Sequence, residues 1–227
     1  MVALPVLVIA PHALDEVLGC GGTMALEVMT GRKVFVLVLC GDGTGLDSKR
    51  REAALKVAST LGTESPRFSG FSENRSDTLP LCNFVEVIEK MVTDVLPSTV
   101  YVSHGGNLNI DHQTAFRAAA TALRPIPGSP VAEFLAYEIA SSTDWSPPGI
   151  GESFRPTHFV EISNVLDRKL KALDLYAFDM RLEPHARSIT ALKRLAYARG
   201  ASIGVKAAEA FSALRIVRRT QAAVSSL

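Results

Sequence analysis

Continuous apolar runs alternate along this chain with segments in which apolar residues return every three or four positions. Leu4 to Ala10 is a β-rich run of the kind buried on both faces of a parallel sheet. Helical spacing then holds from Asp15 to about Thr30, Gly31 ends it, and Lys33 to Cys40 reads as a second buried strand, which makes a β-α-β unit. After the loop GDGTGLDSK, Ser48 to Leu61 reads as a helix closed by Gly62. The alternation continues with a strand at Arg67 to Phe71, a helix from about Asn83 to Val95, a strand at Thr99 to Ser103 and a helix from Asp111 to about Leu123. The pattern predicts an α/β fold with a largely parallel sheet.

Beyond Pro125 the rhythm changes. Ala132 to Ile139 and Thr157 to Ile162 read as strands, joined by SSTDWSPPGIGES, a Ser, Pro and Gly-rich stretch expected as a surface loop over the site. Ser163 to Phe178 and Ser188 to Arg199 are expected as helices, and no repeat or low-complexity tract is visible.

Composition adds bounds rather than a function. The 227 residues fit one domain spanning 1–227, and 47% hydrophobic against 21% charged residues allow a sizeable core. A formal net charge of +1 gives no electrostatic reason to expect nucleic acid as a partner. No apolar stretch reaches the roughly 18 to 20 residues of a membrane helix, and LPVLVIA lacks the basic flank of a signal peptide, so a cytoplasmic protein is expected. Cys20, Cys40 and Cys82 are an odd number without CxxC spacing and are expected to be small buried hydrophobes.

Candidate chemistry gathers where open parallel sheets bind ligands, at the carboxyl ends of strands: His12, Asp15, His104 and His112 all fall there. His12 and Asp15, three positions apart at a strand-to-helix turn, can converge on one ion, and a histidine from the loop after Ser103 would complete two nitrogens and one carboxylate oxygen. Such a set suits Zn2+, or another divalent transition metal, with a position left open for water.

The stretch VIAPHALDEVLGCGGT resembles the first signature of the PIG-L/LmbE-like zinc-dependent deacetylases, usually written HPDDE, and NLNIDHQT resembles their second. RREAALKVASTLG, ENRSDTLPL, YEIASSTDW, MRLEPHARS and GVKAAEAF are similar to further segments of bacterial members. The resemblance implies a Rossmann-like three-layer sandwich and hydrolysis of an N-acetyl group from an amino sugar or sugar conjugate. It also implies His12, Asp15 and His112 as metal ligands; His104, which ends a strand, is expected behind them rather than among them. A homo-oligomer is compatible with it.

Two positions depart from the family pattern. The aspartate that usually precedes the ligand aspartate, commonly assigned as the general base, is here Leu14, which accepts no proton. The first histidine of the usual His-x-x-Asp-His block is Asn109, which donates a hydrogen bond to an oxyanion but cannot change charge. Asp111 either supports a histidine or simply caps a helix. His185 in EPHARS is the remaining acid/base candidate, and Glu16 is expected to begin a helix, where its charge favours the dipole. Substrate groups are expected to meet Arg75, Asp77, Glu138 and Asp42, although Arg75 and Asp77 could equally be a surface pair and Asp42 a turn residue. Ser141 and Ser142 follow Glu138 near a strand end, and His158 is expected to be structural. A second expectation, motivated by Leu14, is a homologue that binds metal or carbohydrate without turnover.

Overall fold

The computed structural model describes residues 4–41 and 43–218. Five strands run parallel: β1 (Val6–Ala10), β2 (Val34–Cys40), β3 (Arg67–Phe71), β4 (Thr99–Ser103) and β5 (Glu133–Tyr137). Two more strands, β6 (His158–Glu161) and β7 (Ala208–Ile216), complete a sheet of order β3-β2-β1-β4-β5-β7-β6. Strand β7 runs antiparallel to both its neighbours. The helices are α1 (Asp15–Met29), α2 (Gly45–Leu61), α3 (Leu81–Val95), α4 (Ile110–Ala122), α5 (Leu166–Asp174) and α6 (Ile189–Ala201).

Both faces of the sheet are covered, giving three layers. Alternate residues of β1 and β2 go to opposite sides: Val6, Val8, Val34 and Val36 join a core with residues of α1, α2, α5 and α6. Leu7, Ile9, Leu37 and Leu39 join a second core with α3 and α4. This two-sided burial is why the central strands read as unbroken apolar runs.

The sheet winds one way from β1 through β2 to β3 and the other way from β4 to β5, so the direction reverses between β1 and β4. That gap is where a doubly wound sheet opens a crevice for ligands. Tight packing behind it depends on Gly19. A Cβ there would stand 2.1 Å from the Tyr137 ring, whose hydroxyl donates to the Ile9 carbonyl at 2.9 Å.

Several boundaries differ from the sequence expectation. The helix expected from Ser163 begins at Leu166, because Ser163 is occupied elsewhere: the Ala207 amide donates to its Oγ at 3.2 Å. Strand β7 was not foreseen. It carries Glu209, which is buried and accepts from the Gly22 amide at 2.8 Å, the Thr23 amide at 2.7 Å and Lys169 Nζ at 2.6 Å. Cys20 and Cys40 are buried as expected, but Cys82 is exposed at the start of α3.

Candidate metal centre and its cavity

The turn between β1 and α1 and the start of α4 face each other across the β1–β4 gap. Asp15 Oδ2 sits between two imidazoles, 3.3 Å from His12 Nδ1 and 3.2 Å from His112 Nε2. The three donor atoms lie within 4.8 Å of one another, and all three residues are buried. The His12 amide also donates to Asp15 Oδ2 at 3.0 Å, which fixes the carboxylate at the mouth of α1. Two nitrogens around one carboxylate oxygen is a donor set that could hold a divalent ion.

Asp111 lies behind His12. Its Oδ2 accepts from His12 Nε2 at 2.7 Å and from the Asn74 amide at 2.6 Å, while Oδ1 accepts from the Ser76 amide at 3.2 Å. Helix capping is done by the residue before α4: Asn109 Oδ1 accepts from the Asp111 amide at 2.8 Å. The Asp111 side chain is thus released from capping and orients His12, leaving Nδ1 as the nitrogen turned to Asp15.

Charge stabilisation follows from this network. Burial alone would lower the His12 pKa, but the hydrogen bonds to Asp111 and Asp15 outweigh it and hold the imidazolium up to about 10. Burial works to raise Asp111, and the His12, Asn74 and Ser76 hydrogen bonds reverse that and bring it down to about 2. Asp15 is likewise held well below the usual carboxylate range, its burial overcome by His112 and His12. Glu16 goes the other way: burial pushes it up to about 7, although it accepts from the Leu14 amide and the Tyr176 hydroxyl, both at 2.8 Å. It begins α1, as expected, but as a buried group.

Leu14 stands at the entrance to α1 with φ of 100°, a left-handed conformation that non-glycine residues rarely adopt. The side chain is buried and contributes apolar surface to the cavity.

That cavity, about 210 Å³, is lined by the triad, by Asn74, Asn109, Ser141 and Ser142, and by four charged groups. Arg50 from α2 bridges two of them, donating from Nε to Asp179 Oδ2 at 2.7 Å and from Nη1 to the Glu73 carboxylate at 3.0 and 3.1 Å. Glu73 Oε1 also lies 4.0 Å from His12 Nε2. Arg187 is the fourth. Asn109 Nδ2 donates to Asn74 Oδ1 at 2.9 Å, which uses one of its two hydrogens.

Other sequence candidates fall elsewhere. Arg75 and Asp77 are exposed around a single 3-10 turn at Ser76–Thr78 and do not line the cavity. Glu138 is buried, but its carboxylate is taken by Arg199, with contacts of 2.8 and 2.6 Å, and it too is outside the cavity lining. His185 does not line it either: Nδ1 accepts from the Arg187 amide at 3.0 Å and the ring packs edge-on against Trp145 at 5.2 Å. His104 Nε2 donates to the Glu152 carbonyl at 2.8 Å, beside a neighbouring groove, and His158 packs toward Phe211. Asp42 lies outside the described residues.

Arg50, Glu73, Asp179 and Arg187 were not singled out from sequence. Charged residues on a helix face or in a loop look like solvated surface until the fold folds them inward. The available signal was positional: Arg50 and Arg187 lie within RREAALKVASTLG and MRLEPHARS.

A doubly wound α/β chain with a buried His-Asp-His cluster at its switch point has the layout of an α/β protein with a ligand site that could hold a metal. Residues 7–123, more than half of the chain, match the family model described as PIG-L: GlcNAc-PI de-N-acetylase. The chain therefore belongs to the PIG-L family of deacetylases. It is 26% identical over 161 residues to the uncharacterized deacetylase YaiS of Escherichia coli K12, covering 68% of this chain and 84% of that protein. Its fold is similar to N,N'-diacetylchitobiose deacetylase from Pyrococcus horikoshii, with a TM-score of 0.76, 20% identity and coverage of 94% and 84% of the two chains. It is equally similar to GalB, the 4-carboxy-2-hydroxymuconate hydratase of Pseudomonas putida KT2440, with a TM-score of 0.75, 20% identity and coverage of 96% and 98%. The fold alone therefore does not select a reaction. Among the described residues no helix is long and apolar enough to cross a membrane.

Proposed function

We propose that this protein is a zinc-dependent hydrolase that removes an N-acetyl group from an amino sugar or sugar conjugate. The observation that carries the reading is the position of Asp15 Oδ2, 3.3 Å from His12 Nδ1 and 3.2 Å from His112 Nε2, at the floor of a polar cavity. Family membership and the deacetylase relatives support an N-acetyl substrate.

His12 Nδ1, Asp15 Oδ2 and His112 Nε2 would hold the ion, and Asp111 would keep His12 in the required orientation. Such an ion, when bound, polarises an amide carbonyl and lowers the pKa of a bound water to about 7. The chain's own residues do the rest. Leu14 removes the family's usual proton acceptor, and His185 does not line the cavity. Glu73 does, with its carboxylate held by Arg50, so we assign it the proton taken from the attacking water. The second Nδ2 hydrogen of Asn109 is placed to donate to a substrate oxygen.

The test is zinc content together with acetate release from a panel of N-acetyl sugars, nucleotide sugars and glycolipid precursors. Acetate release that disappears on chelation and returns with zinc supports the reading; a protein that stays metal-free after zinc is supplied overturns it. Stoichiometric metal with sugar binding but no acetate favours the second reading, a binding homologue, for which Leu14 is the specific reason.

A further inference from the structure

Arg187 is the one cavity-lining cation that has no carboxylate within 4.0 Å among the described residues. Arg50 is shared between Glu73 and Asp179, whereas among the described residues no ion pair or side-chain hydrogen bond involves the Arg187 guanidinium. Its Nε is buried and has no hydrogen-bond partner. A guanidinium that lines a cavity with no carboxylate beside it keeps its charge available to a ligand that enters there.

The surrounding wall is built to hold it in place. His185 Nδ1 accepts from the Arg187 amide at 3.0 Å, and the His185 ring lies edge-on to Trp145. The Trp145 amide in turn donates to the Ser141 carbonyl at 2.8 Å. The 185–187 segment and the 141–145 turn are thereby locked together, and both contribute to the cavity lining. Ser141 is held at φ of 85°, a strained conformation for a non-glycine residue, and its amide donates to Asp144 Oδ2 at 3.2 Å. Ser142 Oγ accepts from Asn107 Nδ2 at 3.0 Å, so its own hydroxyl hydrogen is free to donate into the cavity.

We infer that the substrate carries an anionic group, a carboxylate or a phosphate, and that Arg187 with the hydroxyls of Ser141 and Ser142 binds it. The inference rests on the deacetylase reading and deepens it. A planar guanidinium matches two oxygens of a carboxylate or phosphate at once, and flanking hydroxyls supply the remaining donors. A neutral sugar hydroxyl would fill the space and leave the charge uncompensated. Arg187 is thus a specificity residue: it selects among N-acetyl sugars and takes no part in breaking the amide.

The experiment compares N-acetylglucosamine, N-acetylglucosamine 6-phosphate and N-acetylmuramic acid on the zinc-loaded protein, its Arg187→Gln variant and its Arg187→Lys variant. Binding is read from the fluorescence of Trp145, the only tryptophan in the chain, and turnover from acetate release. A charged sugar is expected to bind at least about tenfold more tightly than the neutral one, the preference falling to about one in Arg187→Gln and returning in part in Arg187→Lys. Which charged sugar is preferred separates phosphate from carboxylate. Equal affinity for neutral and charged sugars, or a preference that survives Arg187→Gln, overturns the inference. A fall in kcat for all three sugars with the preference intact also overturns it, by placing Arg187 at the acetyl group. Because binding is read without turnover, Arg187-dependent anion binding with no acetate release upholds the anion site and counts against the deacetylase reading alone. Melting temperatures establish that the variants fold.

Discussion

Asp111 Oδ2 stands 2.7 Å from His12 Nε2, on the side of the ring away from Asp15. A carboxylate in that position fixes the tautomer of a ligand histidine and raises its basicity, and removing it typically weakens metal binding about 10- to 100-fold. Asp111→Asn keeps the size and lets the Asn109 cap stand, since the capping bond uses the Asp111 backbone. Zinc affinity measured against a chromogenic chelator should fall within that range while the helix content is unchanged. Unaltered affinity would remove Asp111 from the site.

Metal binding should also depend on pH with a definite sign. Without metal, His12 holds its proton up to about pH 10, so an ion can take Nδ1 only by displacing that proton. Each unit of pH below that value should therefore cost about tenfold in apparent affinity, which rises as pH rises. Calorimetry in buffers of different ionisation enthalpy would count the released proton, and a count of zero at pH 7 would contradict the protonated state.

Leu14 and Glu73 can be tested as a pair. If Glu73 accepts the proton, Glu73→Gln should lower kcat by at least about 10²-fold, the lower end for a positioned acid or base. Leu14→Asp restores a carboxylate at the family position and places there a residue that tolerates positive φ better than leucine. In the Glu73→Gln background it should recover much of the lost kcat with zinc content unchanged. A Glu73→Gln variant as active as the parent would return the search for a base to other groups.

Glu16 gives a stability prediction. Burial lifts its folded pKa to about 7 from an ordinary value of 4.5, so its neutral form is the one the fold prefers. The contribution is fully present below pH 4.5 and is lost as pH rises through 7, a span worth about 3 kcal/mol at 1.36 kcal/mol per unit. In metal-stripped protein, Glu16→Gln should flatten that part of the stability profile. Denaturant unfolding at several pH values would reveal it, and identical slopes for parent and variant would refute it.

How much of this was legible beforehand depended on whether local pattern or distant partners decide each element. Strand β4 occupies the span expected, because a fully buried β-rich run between breakers is a local property. Strand β7 was hidden by Glu209, an acid inside a buried segment that Lys169, the Thr23 hydroxyl and two α1 amides make tolerable. Likewise His12, Asp15 and His112 announced themselves through residue type and position, and the structure brings them together. Glu138 did not show that Arg199, on a distant helix, would claim it. Arg187 was passed over for the histidine two positions before it, since nothing in the sequence tells which side chain of a loop turns inward.

The turn bearing His12, Leu14 and Asp15 is anchored from far along the chain. Glu16 is gripped by Tyr176, Gly22 and Thr23 are clasped by Glu209, and Gly19 seats the ring of Tyr137. All three anchors lie beyond residue 123, where the stretch that matches the family model ends. The unit that family comparison recognises and the unit that can stand by itself are therefore different objects. A fragment carrying all three triad residues but ending at that point would keep the ligands and forfeit the scaffolding that aims them.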